Sequence, residues 1–262
     1  MDERCPKSGS IHNGEGIHVQ RRSGERCPKS GSIHNQQRSG PWTAQGGRCP
    51  KSRKRTKMKD LIRKILREET EEKVLEIPGL QYFGNTETPD ERLETWNRVL
   101  SYVGDRKFKI KGYLNLGDTP IQSIGNLQSV GGFLDLGGTH IESLGNLQSV
   151  GGFLDLMRTP IQSLGNLQFV GSDLYLRGIP LESLGNLQSV AGYLNLGDTQ
   201  IESLGNLQSV GGYLYFAGTP IKSFGNLQSV GGYLYLRGTP ISKKYSEEEI
   251  RQMVNVGGDI YM

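Results

Sequence analysis

The chain is short of cysteine, of histidine and of long apolar stretches, and these shortages exclude whole classes of protein. Three cysteines among 262 residues are too few, and odd in number, for a fold built on disulfides. No apolar run approaches the ~18 residues that a membrane-spanning helix needs, which excludes an integral membrane protein. Since the N-terminus also lacks the apolar segment of a signal peptide, we expect a cytoplasmic protein.

Positive charge is concentrated in the first 57 residues. They hold 13 Lys and Arg against 4 Asp and Glu, a net charge of +9, and because the whole chain carries +4, residues 58–262 carry −5. A decapeptide that begins at Arg4 recurs unchanged at Arg26, and its first five residues recur at Arg48. The segment has almost no apolar residues to offset the entropy lost on folding. We therefore expect residues 1–57 to be a disordered basic tail.

Three functional interpretations of this tail follow from its residue types. The spacing between Cys5 and His12, repeated further on, matches no usual zinc finger, so we expect no metal site. The basic run 51–57 could neutralise phosphates and make a weak contact to nucleic acid, although no aromatic residue accompanies it. The near-verbatim repetition also agrees with a tail that is not native coding sequence, with Met58 as the natural start.

Two amphipathic helices are predicted between the tail and the repeats, over residues 58–111. An apolar stripe at residues 61–66 predicts the first helix, which runs to about Leu75. The second helix begins after Thr88 as its N-cap and ends at Gly104. We interpret the segment as a helical cap over the first repeat, because a solenoid needs a cover over its exposed end.

A 20-residue repeat dominates the rest of the chain, from Gly112 to about Ser242. In each unit two leucines alternate, as in a short strand, and four later apolar residues are spaced by three, as in a tight return path. The six apolar positions of the second unit are Leu134, Leu136, Ile141, Leu144, Leu147 and Val150. One unit cannot bury six apolar side chains alone, whereas stacked units share a continuous core. We therefore predict a repeat solenoid over residues 112–242, with one short parallel strand per coil.

The repeat resembles the leucine-rich repeat. The spacing Leu114-x-Leu116-x-x-Thr119-x-Ile121-x-x-Ile124 is similar to the family pattern L-x-L-x-x-N-x-L-x-x-L, with Thr in the place of Asn. The repeats also resemble receptor L-domain coils, in which Val-Gly-Gly precedes the strand. Either resemblance implies a right-handed parallel β-solenoid and leaves the choice of coil geometry open. The segment 58–69 resembles the start of uncharacterised bacteriophage proteins.

We expect residues 243–262 to form a C-terminal cap. Ser246 and Glu249 have the spacing of a capping box, which predicts a helix to about Val254. The closing segment 256–262 repeats the strand-forming part of the earlier coils. The sequence therefore predicts a helix followed by a final strand.

Residues that alternate with the inward leucines face outward from the predicted sheet and form two ladders. The first ladder consists of the residues directly before the first leucine of each unit: Tyr113, Phe133, Phe153, Asp173, Tyr193, Tyr213 and Tyr233. The second ladder consists of the residues between the two leucines: Asn115, Asp135, Asp155, Tyr175, Asn195, Tyr215 and Tyr235. Aromatic side chains are enriched at protein interfaces, although stacked aromatics also stabilise neighbouring strands.

The ladders predict a partner-binding face. Its residues are the ladder aromatics and one neighbouring arginine: Tyr113, Phe133, Phe153, Tyr175, Tyr193, Tyr213, Tyr215, Tyr233, Tyr235 and Arg237. The favoured function is a non-enzymatic scaffold that binds a protein partner on this face. A structural or self-assembling solenoid, for example in a virion, is the alternative, and a glycan-binding or polysaccharide-active solenoid is a more remote one.

Catalysis has one weak indication. Asp135 and Asp155 occupy equivalent positions in neighbouring coils, so their carboxylates could lie about 5 Å apart, the separation used by retaining glycosidases. However, Asn115 and Asn195 stand at the same position, which shows that it accepts any small polar residue. No G-x-S-x-G motif, P-loop or histidine-paired nucleophile is present. We therefore expect no enzyme, no catalytic residue and no cofactor.

Overall fold

The computed structural model describes residues 74–79 and 88–262. The predictions for the basic tail lie outside these residues. The first predicted helix also lies outside them except at its predicted end, where Leu75 begins a strand. The segment Leu75–Ile77 alternates buried, exposed and buried side chains, as a strand does and a helix does not.

The described chain contains three helices and 17 short strands. The helices are α1 (Pro89–Val103), α2 (Pro240–Lys244) and α3 (Glu247–Met253). In chain order the strands are β1 (Leu75–Ile77), β2 (Phe108–Ile110), β3 (Leu114–Asn115), β4 (Leu127–Val130), β5 (Leu134–Asp135), β6 (Ser149–Val150), β7 (Leu154–Asp155), β8 (Phe169–Val170), β9 (Leu174–Tyr175), β10 (Ser189–Val190), β11 (Leu194–Asn195), β12 (Ser209–Val210), β13 (Leu214–Tyr215), β14 (Ser229–Val230), β15 (Leu234–Tyr235), β16 (Asn255–Val256) and β17 (Ile260–Tyr261). None of these helices is long and apolar enough to cross a bilayer.

The strands form two parallel sheets, and the prediction of a parallel β-solenoid is confirmed. Sheet 1 has nine strands in the order β1, β2 and then the even-numbered strands to β16, and sheet 2 has eight, the odd-numbered strands from β3 to β17. The predicted leucine strand of each coil lies in sheet 2, where Leu134 is paired with Leu154. Each coil also contributes a second short strand to sheet 1, where Val150 is paired with Val170.

The six apolar positions of the repeat build the core between the two sheets. All six residues of the second coil, from Leu134 to Val150, are at most 1% exposed. A buried threonine follows each leucine strand and closes its turn, as Thr139 does by donating its hydroxyl to the Leu136 carbonyl at 2.7 Å. Ile179 takes this place in one coil and is equally buried. The shared core makes each coil depend on its two neighbours.

The N-terminal end of the solenoid is covered by α1. Thr88 accepts a hydrogen bond from the Glu91 N–H as the predicted N-cap, and Trp96 is fully buried against the first coil. The Trp96 indole N–H donates to the Ser123 carbonyl at 3.3 Å, which anchors the helix to that coil. Strands β1 and β2, which the sequence analysis did not predict, extend sheet 1 beneath the same end.

At the other end the chain leaves the repeat through α2 and α3. Ser246 and Glu249 form the predicted capping box at the start of α3, with both reciprocal hydrogen bonds present. Strands β16 and β17 then add one strand to each sheet. The predicted helix-plus-strand cap is confirmed.

Candidate binding surface

The outer face of sheet 2 carries both ladders, as predicted. In the second coil Leu134 and Leu136 are fully buried, while Phe133 and Asp135, which alternate with them, are half-buried on the outer side. Because the strands are parallel and in register, equivalent side chains of neighbouring coils lie next to each other along the sheet. All nine predicted aromatic residues therefore belong to one surface.

The rings of the first three coils stack face to face. Tyr113 and Phe133 have centroids 4.6 Å apart and planes at 7°, and Phe133 and Phe153 are 4.7 Å apart at 2°. Such stacks bury the ring faces against each other and leave the ring edges outermost. In this part the ladder acts as a contact between coils, which agrees with the structural interpretation of stacked aromatics.

Asp173 interrupts the first ladder, and Tyr175 of the second ladder bridges the gap. The Tyr175 ring lies 6.3 Å from both Phe153 and Tyr193, so the series of ring contacts continues. The Tyr175 hydroxyl donates to one Asp173 carboxylate oxygen at 3.1 Å, and the Tyr193 backbone N–H donates to the other at 2.8 Å. Burial first, and then the Asp173 charge, raise the pKa of Tyr175, so its hydroxyl stays protonated as a donor.

The C-terminal coils carry a denser cluster of tyrosines. Tyr213 stacks on Tyr233 at 4.9 Å, and Tyr215 lies 5.7 Å from Tyr235. Tyr261 continues the second ladder on β17 by stacking on Tyr235 at 4.5 Å and 7°. Tyr261 was not among the residues predicted from the sequence, although the repeat places it at the same position as Tyr235. Tyr233 contacts both Tyr235 and Tyr261, so with Tyr261 ten rings form one connected series of contacts across the eight strands.

The ladder rings differ in how far they are open to solvent. Tyr213 is 47% exposed, Tyr261 41% and Tyr113 37%, and the other ladder rings are half-buried. A partner that approaches sheet 2 would therefore meet Tyr213 first in the C-terminal half. Tyr193 is less exposed, and its burial, followed by repulsion from neighbouring tyrosines, raises its pKa.

The acidic and amide residues of the second ladder are engaged in turns. Asn115, Asp135 and Asn195 each accept a hydrogen bond at 3.0 Å from the backbone N–H two residues later, and Asp155 does so at 2.8 Å. This Asx contact closes the ends of these four strands, and it explains why Asn and Asp replace each other at these positions. The two candidate carboxylates are therefore turn-forming groups.

Asp135 and Asp155 do lie close together, as the sequence predicts. A Cβ atom on Gly137 would be 3.4 Å from a carboxylate oxygen of each. Burial is the main cause that raises the pKa of Asp155 above 3.8; its hydrogen bond from Met157 lowers the pKa, and the neighbouring Asp135 charge raises it. The pair lies on neighbouring strands of sheet 2, beside the stacked rings of Phe133 and Phe153.

Arginines flank the ladder at the turns that follow the leucine strands. Arg158 is paired with Asp118 at 3.1 Å and Arg177 with Asp198 at 3.1 Å, in both cases between different coils. Arg237 occupies the corresponding turn after β15 and is exposed. It follows Tyr235 by two residues in the chain.

The outer face of sheet 1 has a different chemistry. Small residues line a shallow groove of about 470 Å³ that crosses five strands, and Ser189, Ser209 and Ser229 are among them. Phe169, at the edge of this groove, is 42% exposed and replaces the serine of the other coils. Sheet 1 therefore has the same repeat as sheet 2 but carries no aromatic ladder, so substitutions on its outer face can serve as controls.

Within residues 74–79 and 88–262, no group of three or more His, Cys, Asp or Glu side chains is arranged to hold a metal ion. No protein-family model, curated protein or solved structure matches this chain.

Proposed function

We propose that this chain is a non-enzymatic scaffold, similar to leucine-rich-repeat proteins, that binds a protein partner on the outer face of sheet 2. The observation that carries the proposal is the connected series of ten aromatic rings across eight strands, with Tyr213 about half exposed. Solenoids commonly use such extended faces for binding.

The distribution of Phe and Tyr along the ladder supports binding in its C-terminal half. The half-buried stack near the N-terminal end uses Phe133 and Phe153, whereas four tyrosines occupy the coils around Tyr213. The hydroxyl groups of these four tyrosines add hydrogen-bonding groups to an otherwise apolar set of rings. Tyrosine at an interface combines a large apolar contact with a polar end, which is why it is frequent among binding hot spots.

A protein partner fits this surface better than a glycan. A sugar ring binds an aromatic residue by lying flat against its face, but the Tyr213 and Tyr233 rings are within 16° of parallel, so each ring covers one face of the other. The ring edges and hydroxyls that remain outward suit the mixed apolar and hydrogen-bonding contacts of a protein interface.

The test removes the most exposed ring by a substitution that the repeat already contains. In Tyr213→Asp the new carboxylate would stand beside Tyr215, as Asp173 stands beside Tyr175 in a natural coil, so we expect the fold to be retained. The matched control is Phe169→Ser, which removes a ring of similar exposure from sheet 1 and restores the residue of the other coils. The wild-type chain and both variants are immobilised and exposed to an extract of the source organism, and bound proteins are identified by mass spectrometry.

The proposal predicts a protein that is retained by wild type and by Phe169→Ser and is lost with Tyr213→Asp. With that protein purified, calorimetry should show an affinity at least ~30-fold weaker for Tyr213→Asp, the loss expected for a hot-spot side chain. The proposal is wrong if wild type retains no specific protein, or if both variants retain the same proteins as wild type. Unchanged circular dichroism of each variant shows that any loss of binding is not a loss of fold.

A further inference from the structure

We propose that the tyrosine ladder is a site of oxidative modification, at which the rings of Tyr233 and Tyr261 become joined by a carbon–carbon bond that fastens two neighbouring coils. The two side chains lie on the paired strands β15 and β17, and their ring centroids are 5.8 Å apart with planes at 85°. This inference is independent of the proposed partner-binding function, because it concerns the chemistry of the rings and not what covers them.

Seven tyrosines of the ladder form one connected network of ring contacts. Each contact joins centroids that are 4.5–6.4 Å apart, and the members are Tyr175, Tyr193, Tyr213, Tyr215, Tyr233, Tyr235 and Tyr261. Two of these rings, Tyr213 and Tyr261, are 47% and 41% exposed, so an oxidant in solution reaches the network from outside. Phenol rings in contact exchange an electron readily. The loss of one electron at an exposed ring can therefore be passed to its half-buried neighbours.

The spacing of the strands decides which rings can be joined. Two tyrosines couple through the ring carbons next to their hydroxyls, and the joined rings then lie edge to edge, with their Cβ atoms further apart than in a stacked pair. Side chains directly opposed on paired strands start about 4.8 Å apart, whereas two residues along a strand add about 6.6 Å and place diagonal side chains about 8 Å apart. A directly opposed pair such as Tyr235 and Tyr261, stacked at 4.5 Å, is therefore too close at its base to couple.

Tyr233 and Tyr261 are a diagonal pair. Tyr261 is in register with Tyr235, which follows Tyr233 by two residues on the same strand. Tyr175 and Tyr193 are also diagonal, but both are half-buried, and the Tyr175 hydroxyl is held by Asp173. Among the exposed tyrosines of the described ladder, Tyr261 is the one with a diagonal ring contact, so we expect coupling at Tyr233 and Tyr261.

The reaction balances with hydrogen peroxide as the oxidant and a haem peroxidase as its catalyst. Each tyrosine gives up one electron and its hydroxyl proton, which leaves two tyrosyl radicals. The radicals join through the ring carbons next to the oxygens, and the hydrogen on each of these carbons moves to the oxygen of its own ring, which restores both phenols. Hydrogen peroxide takes up the two electrons and the two protons and becomes two molecules of water.

The new bond would hold the C-terminal cap in place. It closes a loop between positions 233 and 261 that contains α2 and α3, the part of the chain that departs from the 20-residue repeat. A covalent cross-link stabilises a fold by restricting the unfolded chain. Local opening of the cap should therefore become rarer after oxidation, and backbone hydrogen exchange in α2 and α3 should become slower.

The test treats the full chain at low concentration with hydrogen peroxide and a haem peroxidase, and then maps the product by digestion and tandem mass spectrometry. We expect a chain that is lighter by two hydrogen atoms, shows dityrosine fluorescence and carries the bond between Tyr233 and Tyr261. Tyr233→Phe and Tyr261→Phe keep the rings and remove one hydroxyl each, so each should abolish this product. The matched control is Tyr245→Phe, because Tyr245 lies within the same loop but packs on the core outside the ladder; the yield should not change.

The same treatment of the chain unfolded in urea should show no preference for this pair, because the preference comes from the fold. The proposal is overturned if the folded chain forms no dityrosine, if the bonds lie at other pairs or only between chains, or if Tyr261→Phe leaves the product unchanged. It is also overturned if α2 and α3 exchange as fast in the cross-linked chain as before. Circular dichroism spectra that match wild type establish that each variant is folded.

Discussion

The clearest energetic test of the ladder is the removal of one fully stacked ring, Phe133. In Phe133→Ala two ring contacts are lost, with Tyr113 at 4.6 Å and with Phe153 at 4.7 Å. Each such contact contributes about 0.5–1.5 kcal/mol beyond buried area. Loss of the half-buried side chain itself adds about 1 kcal/mol. The free energy of unfolding should therefore fall by about 2–4 kcal/mol in total.

The control for this substitution is Phe169→Ala. Phe169 lies on the opposite sheet, is more exposed to solvent than Phe133, and lines the shallow groove of small residues. Its removal should cost only the area term, about 1 kcal/mol. The difference between the two variants, about 1–3 kcal/mol, then measures mainly the stacking of the ladder.

Chemical and thermal denaturation followed by circular dichroism give both values. For a domain of this size one kcal/mol corresponds to about 2–4 °C in melting temperature, so Phe133→Ala should melt several degrees below Phe169→Ala. If the two variants unfold within about 0.5 kcal/mol of each other, the stacked rings contribute nothing to the fold and the interpretation of the N-terminal ladder as a contact between coils is wrong.

Two further substitutions test the core and the ionisable pair. Leu164→Asp places an unpaired charge among fully buried side chains of a middle coil and should unfold the neighbouring coils as well. If backbone hydrogen exchange in these coils stays slow, the assignment of Leu164 to the core is wrong. Because the pKa of Asp155 is raised in the folded chain, the folded state holds that proton more tightly, and the resulting stability is lost as the pH rises through the folded pKa. Asp155→Asn keeps the turn contact that Asn195 makes. Its free energy of unfolding should therefore exceed that of wild type at pH 7, and the difference should shrink toward pH 4. A difference that does not change with pH would refute this reasoning.

The buried positions of the repeat could be predicted from the sequence because the same apolar pattern recurs in every unit. Leucines two apart, as in Leu134 and Leu136, can only both be buried if the residue between them faces outward, and the structure has this arrangement in every coil. The second strand of each coil was not predicted. Ser149 and Val150 form a strand only through hydrogen bonds to neighbouring coils, and a two-residue segment has no periodicity of its own.

The arrangement of the ladder side chains was only partly predictable. The sequence assigns Tyr175 to the second ladder, but its role as a bridge between Phe153 and Tyr193 depends on the space that Asp173 leaves. Strand β1 was not predicted from the sequence, for a different reason. A pattern as short as Leu75–Ile77 fits a helix or a strand until its pairing with β2 decides.

The most direct test of the central claim locates the binding surface by hydroxyl-radical footprinting. Side-chain oxidation is measured by mass spectrometry in the free chain and in the complex with the captured protein. The proposal predicts that oxidation of Tyr213 and its neighbours in the tyrosine cluster falls on binding. Phe169 on sheet 1 and Tyr245, between α2 and α3, should react as in the free chain. Protection of Phe169 with Tyr213 still reactive would contradict the assignment of sheet 2 as the binding face.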